Sequence, residues 1–148
     1  MPVNKKSIST TLALTLVAVG WGVTTAQTSE AATTGVRALS VAASKKGSPY
    51  QWGAVGPYRF DCSGLTLYAF KRVGKTLPRT AQSQYNKSHH ISKASLRPGD
   101  LVFFYSGSSV YHVGIYAGGG KIWHAPKSGT RVRLEKIWTS HVKYGRIS

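Results

Sequence analysis

The 148-residue chain has one cysteine, only four acidic residues and no apolar run long enough to span a membrane. A lone cysteine excludes an internal disulfide and the paired thiolates of a structural zinc site, and the scattered histidines lack zinc-ligand spacing. The scarcity of acid beside 20 lysines and arginines leaves a formal charge of +16, which draws the protein to polyanions: nucleic acid, anionic membrane or an anionic cell wall. The apolar segment Leu12 to Val23 falls short of the roughly 20 residues a spanning helix needs. Phosphate-cradling and dinucleotide motifs are also missing, so the chain calls for no cofactor.

What is present begins with a leader. Lys5 and Lys6 precede the apolar segment, and small residues recur from Thr24 to Ala32, the order of a secretory signal peptide. Residues 1–31 are read as that leader, with cleavage after Ala26 or, preferably, after Ala31, and residues 32–148 as one domain and a monomer. Without the leader, 18 basic and 3 acidic residues remain. Export argues against nucleic acid as the main partner and leaves anionic wall polymers as the polyanion that fits.

Val36, Leu39 and Ala43 recur at helical spacing until Gly47 and Pro49, which predicts a short first helix. Ser48 to Pro57, rich in glycine, proline and aromatics, reads as an ordered loop. Asp61 suits a helix cap, and Leu65, Tyr68, Ala69 and Val73 form an apolar stripe that Gly74 stops, so Cys62 opens a second helix. Leu77 to Ser95 reads as a polar surface stretch holding one irregular helix. Arg97-Pro98-Gly99-Asp100 is a turn, with Asp100 simply a turn residue. The sheet is then expected from Leu101 to Tyr105, Tyr111 to Ala117, Lys121 to Ala125, Arg131 to Leu134 and Val142 to Ile147. Helices first and antiparallel strands second make an α+β domain.

A thiol titrating near pH ~8.5 is a weak nucleophile unless a helix N-terminus or a positive charge stabilises the thiolate, and it needs a base. The candidates are His89, His90, His112, His124 and His141. If Gly118 to Gly120 form a three-residue loop, Gly114 faces His124, and His112 and His124 share one sheet face as diagonal neighbours; a two-residue loop would put them on opposite faces. Val113, Ile115 and Ala117 would then face the core, leaving His112 toward a cleft with small Gly114 beside it. His89, His90 and His141 read as surface residues.

Six segments in order carry a resemblance: Pro49-Tyr50-Gln51-Trp52-Gly53, Phe60-Asp61-Cys62-Ser63-Gly64-Leu65, Leu77-Pro78-Arg79-Thr80 with Gln84, Pro98-Gly99-Asp100-Leu101-Val102-Phe103-Phe104, His112-Val113-Gly114-Ile115-Tyr116 and Trp123-His124-Ala125-Pro126. From about Val36 to Ser148 the chain resembles the NlpC family of secreted cell-wall cysteine peptidases, which implies a papain-like α+β fold with N-terminal helices on a C-terminal antiparallel sheet. The resemblance implies Cys62 as nucleophile, His112 as general base and His124 as the residue that orients it. It also implies that Tyr50, with the backbone N–H of Cys62, holds the developing oxyanion, and that Asp61 and Ser63 bind substrate, Asp61 pairing with the free amine of a peptidoglycan stem peptide. Its commonest cut lies between D-glutamate and the diamino acid that follows, through a thioester. An amidase or acyltransferase on the same triad, or a non-enzymatic cationic wall-binding or antibacterial protein, are the alternatives. Ala54 stands where the family often has a second glycine, and the roles of Arg79 and Gln84 are unassigned.

Overall fold

The structure, a computed structural model, describes residues 25–148, so the leader expected at residues 1–31 lies outside the described residues as far as residue 24. Three helices, α1 (Thr25–Ser44), α2 (Cys62–Arg72) and α3 (Ala81–Lys87), precede or flank six strands: β1 (His89–Ile91), β2 (Leu101–Ser106), β3 (Ser109–Gly118), β4 (Lys121–His124), β5 (Arg133–Lys136) and β6 (Val142–Arg146). All strand pairs are antiparallel, in the order β1-β6-β2-β3-β4-β5. Among the described residues, no helix is long and apolar enough to cross a membrane.

The α1 helix extends well before Val36, because no proline interrupts that stretch, and both expected cleavage positions fall within it. Its Ala38 and Ala42, one turn apart, are fully buried. One turn before Ala38, Gly35 meets the Pro98-Gly99 turn so closely that a Cβ on Gly99 would lie 2.2 Å from the Gly35 carbonyl carbon. Gly99 therefore needs glycine, its backbone also taking a positive φ of 95°, whereas a Cβ on Gly35 would be tight, 3.2 Å from the Gly99 carbonyl.

The α2 helix starts at Cys62 as expected, because the Asp61 side chain accepts from the Gly64 N–H at 2.7 Å. It lays Leu65, Ala69 and Phe70 against Leu101, Phe103, Val113 and Ile115 of the sheet, all in one core cluster. Each of these side chains other than Ala69 contributes about 2 kcal/mol of burial. The opposite face of the sheet carries a smaller cluster, Val102, Phe104 and Ile122, under Tyr116, Ile137, Val142 and Tyr144.

Three expectations need correction. The polar stretch to Ser95 contains a short helix, α3, and also a strand, β1, which pairs with β6 at the sheet edge. The exposed side chains of His89 and His90 hide this strand from a hydrophobic pattern, since it is held to the sheet through its backbone. The fifth strand runs Arg133–Lys136 rather than Arg131 to Leu134. Ahead of it, Val132 is buried and bonds Ser48 and Gly47 instead of a strand. Asp100 is more than a turn residue: it is buried, accepts the Arg97 N–H, and forms a two-pronged pair with Arg146 of β6 at 2.9 Å per prong.

Candidate active site

The loop before α2 is pinned from both sides. Tyr50 N–H donates to the Thr130 carbonyl and Gln51 N–H to that of Phe60, while Asp61 N–H returns to Ala54. Gly64 lets helix and loop meet, for a Cβ there would sit 2.0 Å from the Ala54 oxygen. Ala54 itself takes no positive φ, so the departure from a second glycine at this point carries no backbone strain.

Asp61, Ser63 and Arg79 form one cluster. The Arg79 guanidinium donates to both Asp61 carboxylate oxygens and, at 2.9 Å, to the Ser63 hydroxyl. Asp61 further accepts the Gly53 N–H at 3.0 Å. Behind it, the fully buried Gln84 amide donates to the Ser63 and Pro78 carbonyls and accepts from Thr66. Arg79 and Gln84, unassigned from the sequence, are thus the groups that hold Asp61 and Ser63. The motif Leu77-Pro78-Arg79-Thr80 with Gln84 was the available signal.

On the sheet, β3 and β4 pair as Ile115 with Trp123 and Tyr116 with Ile122, which carried one step further puts Gly114 opposite His124. The closing pair is Gly118 with Lys121, so the loop is the two-residue Gly119-Gly120 and not the three-residue loop. A register shift between Tyr116 and Gly118 restores the parity: Ala117 is the extra residue of a bulge. His112 and His124 accordingly share a face, with His112 Nε2 2.8 Å from His124 Nδ1. Gly114 makes the room, for a Cβ there would lie 3.2 Å from that of His124.

Cys62, Tyr50 and His112 line one cavity of about 320 Å³, with Trp52, Tyr111 and Trp138 at its rim. A second, of about 390 Å³, lies on the other side of Cys62 and is lined by Asp61, Ser63 and Arg79. Tyr50, Trp52, Cys62 and Tyr111 belong to both, so the thiol sits at the waist of one cleft. Trp52 belongs to the aromatic loop that the sequence marked, whereas Tyr111 and Trp138 were not foreseen. His89, His90 and His141 are exposed and lie outside both cavities.

Burial pushes the Cys62 thiol up, the neighbouring Asp61 adds to this, and hydrogen bonds from the Val113 and Ser63 backbones and the Ser63 hydroxyl only partly oppose it. Cys62 does open the helix, as expected, and burial is the largest influence on its thiol. Burial and then His124 hold His112 down, to about 3. Burial also lowers His124, against the opposing Glu135 carboxylate. Thiol and both imidazoles are neutral at neutral pH. Burial likewise raises Tyr50, helped by Cys62 once its thiol ionises and by the Asp61 carboxylate.

Glu135 was missed altogether. Its Oε2 lies 2.6 Å from His124 Nε2, a hydrogen bond from a neutral ring to a carboxylate. Arg133 grips the same carboxylate at 3.2 and 3.3 Å. The rarity of acid in this chain was the signal. No group of three or more His, Cys, Asp or Glu among the described residues is placed to hold a metal ion.

Residues 47–146 match the model of the NlpC/P60 family. Over 124 residues the chain is 46% identical to a protein of Corynebacterium glutamicum named a probable endopeptidase, covering 84% of this chain and 58% of that one. Over 109 residues it is 44% identical to the bifunctional muramidase/DL-endopeptidase CwlT of Bacillus subtilis, covering 69% of this chain and 33% of that one. The chain thus spans less than two thirds of the length of these relatives. Among solved structures, the NlpC/p60 domain of the peptidoglycan hydrolase SagA matches with a TM-score of 0.69 at 32% identity, covering 77% of this chain and 98% of that one. Helices packed on an antiparallel sheet are the papain-like arrangement of these domains.

Proposed function

The chain belongs to the NlpC/P60 family of cysteine peptidases, and on that premise we propose that it is a secreted peptidoglycan endopeptidase that cuts stem peptides through a thioester on Cys62. The observation that carries this reading is the placement of Cys62 and His112 on one cavity, with His124 at 2.8 Å behind His112. His112 takes the thiol proton as the sulfur attacks the scissile carbonyl. The tetrahedral oxyanion lies toward the Tyr50 hydroxyl and the Cys62 N–H, and His112 then returns the proton to the departing amine. Water, activated by the same histidine, hydrolyses the thioester.

Because thiol and imidazole both rest neutral, proton transfer accompanies attack rather than preceding it. The cavity lined by Asp61, Ser63 and Arg79 takes the amine end of the stem peptide, and the bond between D-glutamate and the diamino acid lies over Cys62. A relative named a DL-endopeptidase and another named a peptidoglycan hydrolase support that substrate class. The basic surface holds the enzyme on a wall carrying anionic polymers.

The test is turnover of purified peptidoglycan fragments by the wild type beside Cys62→Ala, with products read by mass spectrometry. Stem-peptide fragments from the wild type alone support the reading, and their masses identify the bond. Release of intact stem peptides points to an amidase, and transfer to an added amine to an acyltransferase. Equal behaviour of the two proteins leaves a cationic wall-binding protein.

A further inference from the structure

The contact that the catalytic reading does not use is the one between His124 and Glu135. An ionised carboxylate can only accept hydrogen bonds, so the His124 nitrogen 2.6 Å from Glu135 Oε2 must be the protonated one, Nε2–H. In a neutral ring the other nitrogen, Nδ1, is then an acceptor. Its partner 2.8 Å away, His112 Nε2, must donate to it, and the remaining nitrogen of a neutral His112, Nδ1, carries a free lone pair. We propose that Glu135 is a positioning residue that sets the tautomers of both histidines and so leaves His112 Nδ1 as the acceptor for the Cys62 proton. This rests on the cysteine-peptidase reading above.

Without the carboxylate the choice is open. His124 is 1% exposed only while the half-open Glu135 side chain covers it, and a water taking the place of the carboxylate can donate as well as accept, so it does not dictate the tautomer. A flipped His124 would donate from Nδ1 to His112 Nε2, driving the proton of neutral His112 onto Nδ1 and removing the lone pair. A base in the wrong tautomer is a base out of position. When His112 Nδ1 takes the thiol proton, the ring becomes a cation whose charge is balanced through His124 by Glu135, and no further proton need leave the relay.

The groups facing this relay come from each element around it: His112 from β3, Arg133 and Glu135 from β5, and the Trp138 ring, centred 5.4 Å from that of His124. Arg133 keeps the carboxylate ionised and aimed. Burial works to raise the Glu135 carboxyl, but the hydrogen bonds from Arg133 and His124 outweigh it and hold it below the usual carboxylate value. Its half-open place on β5, the last strand of the sheet, lets it be replaced without emptying a core.

The experiment is nitrogen NMR of the histidine rings near neutral pH in the wild type, Glu135→Ala and Glu135→Gln, with kcat and KM on peptidoglycan fragments beside it. The expected result is Nε2–H at both His112 and His124 in the wild type and a mixture of tautomers in Glu135→Ala. Glu135→Gln, whose amide can donate as well as accept, falls between. kcat drops by about 10- to 100-fold in Glu135→Ala, with KM nearly unchanged, one link short of the full loss expected from a wrong tautomer at the base. Nδ1–H on His112 in the wild type, or unchanged tautomers in both variants, overturns the proposal. The NMR result stands whether or not the protein cleaves peptidoglycan, so a failed activity assay with the expected tautomers would count against the enzymatic reading alone.

Discussion

Arg79 holds both carboxylate oxygens of Asp61, the residue whose side chain also caps the helix that begins at Cys62. The same relation recurs: Arg146 holds Asp100 and Arg133 holds Glu135, so each acidic residue after the expected leader is gripped by an arginine. The excess of basic over acidic residues leaves a net positive charge for other partners.

Replacing Arg79 by alanine strands a carboxylate whose side chain is 8% exposed, but the guanidinium is 40% exposed and partly screened by solvent. A loss of about 1–2 kcal/mol is expected in urea unfolding. Arg79→Lys should recover only part of it, because an ammonium lacks the two-pronged fork. A rise in KM should accompany the loss, as the cavity beside Ser63 opens. Unchanged stability and KM would show that Asp61 is held well enough by backbone N–H groups.

Alkylation of Cys62 by iodoacetamide should be slow near neutral pH and climb as the thiol ionises above the ordinary value of about 8.5, because burial and Asp61 both disfavour the thiolate. A plot of rate against pH measures this directly. A midpoint well below the ordinary value would mean a preformed thiolate and imidazolium pair.

Acid should destabilise the fold through His112. Its folded value of about 3 lies below the unfolded value of about 6.5, so between these the unfolded chain binds a proton that the folded one refuses. Stability is therefore full above about pH 6.5 and falls, by an order of a few kcal/mol, as pH drops toward 3. Glu135, lowered from its ordinary value, adds a further loss at the acid end of that window. Urea midpoints measured across the range should show this slope, and His112→Ala should flatten it.

Gly114→Ala tests the packing of the two histidines. The new methyl would meet Ile122 Cδ1 at 2.8 Å, the Trp123 carbonyl at 3.1 Å and His124 Cβ at 3.2 Å. A leucine-like tip can move, but a strand carbonyl cannot move far. A cost of about 1–3 kcal/mol is expected, with a larger proportional loss of kcat at temperatures where the variant is fully folded. Thermal melts and steady-state kinetics separate the two effects.

Binding to isolated anionic cell walls should weaken steeply as salt rises, since it draws on long-range charge. Co-sedimentation of Cys62→Ala with walls over a salt series measures it without turnover. Salt-insensitive binding would point to a built recognition site.

By itself the sequence determined the elements whose signals are local. Asp61 three residues before Gly64 caps a helix wherever that segment sits, and the alternation of Val113 and Ile115 with His112 places one set in the core and the other on the opposite side. The ordered motifs around Cys62, His112 and His124 carried the family. Tertiary structure decided what depends on distant chain segments. The edge strand His89–Ile91 exists only because β6 offers it backbone partners, and no pattern of its own exposed side chains announces it. The hairpin loop could be counted as two or three residues, and only the bulge at Ala117 settled which face His124 took. Arg79 and Glu135 found Asp61 and His124 across 18 and 11 residues of chain. A long polar side chain's partner is set by where the backbone carries it, which spacing along the sequence does not encode.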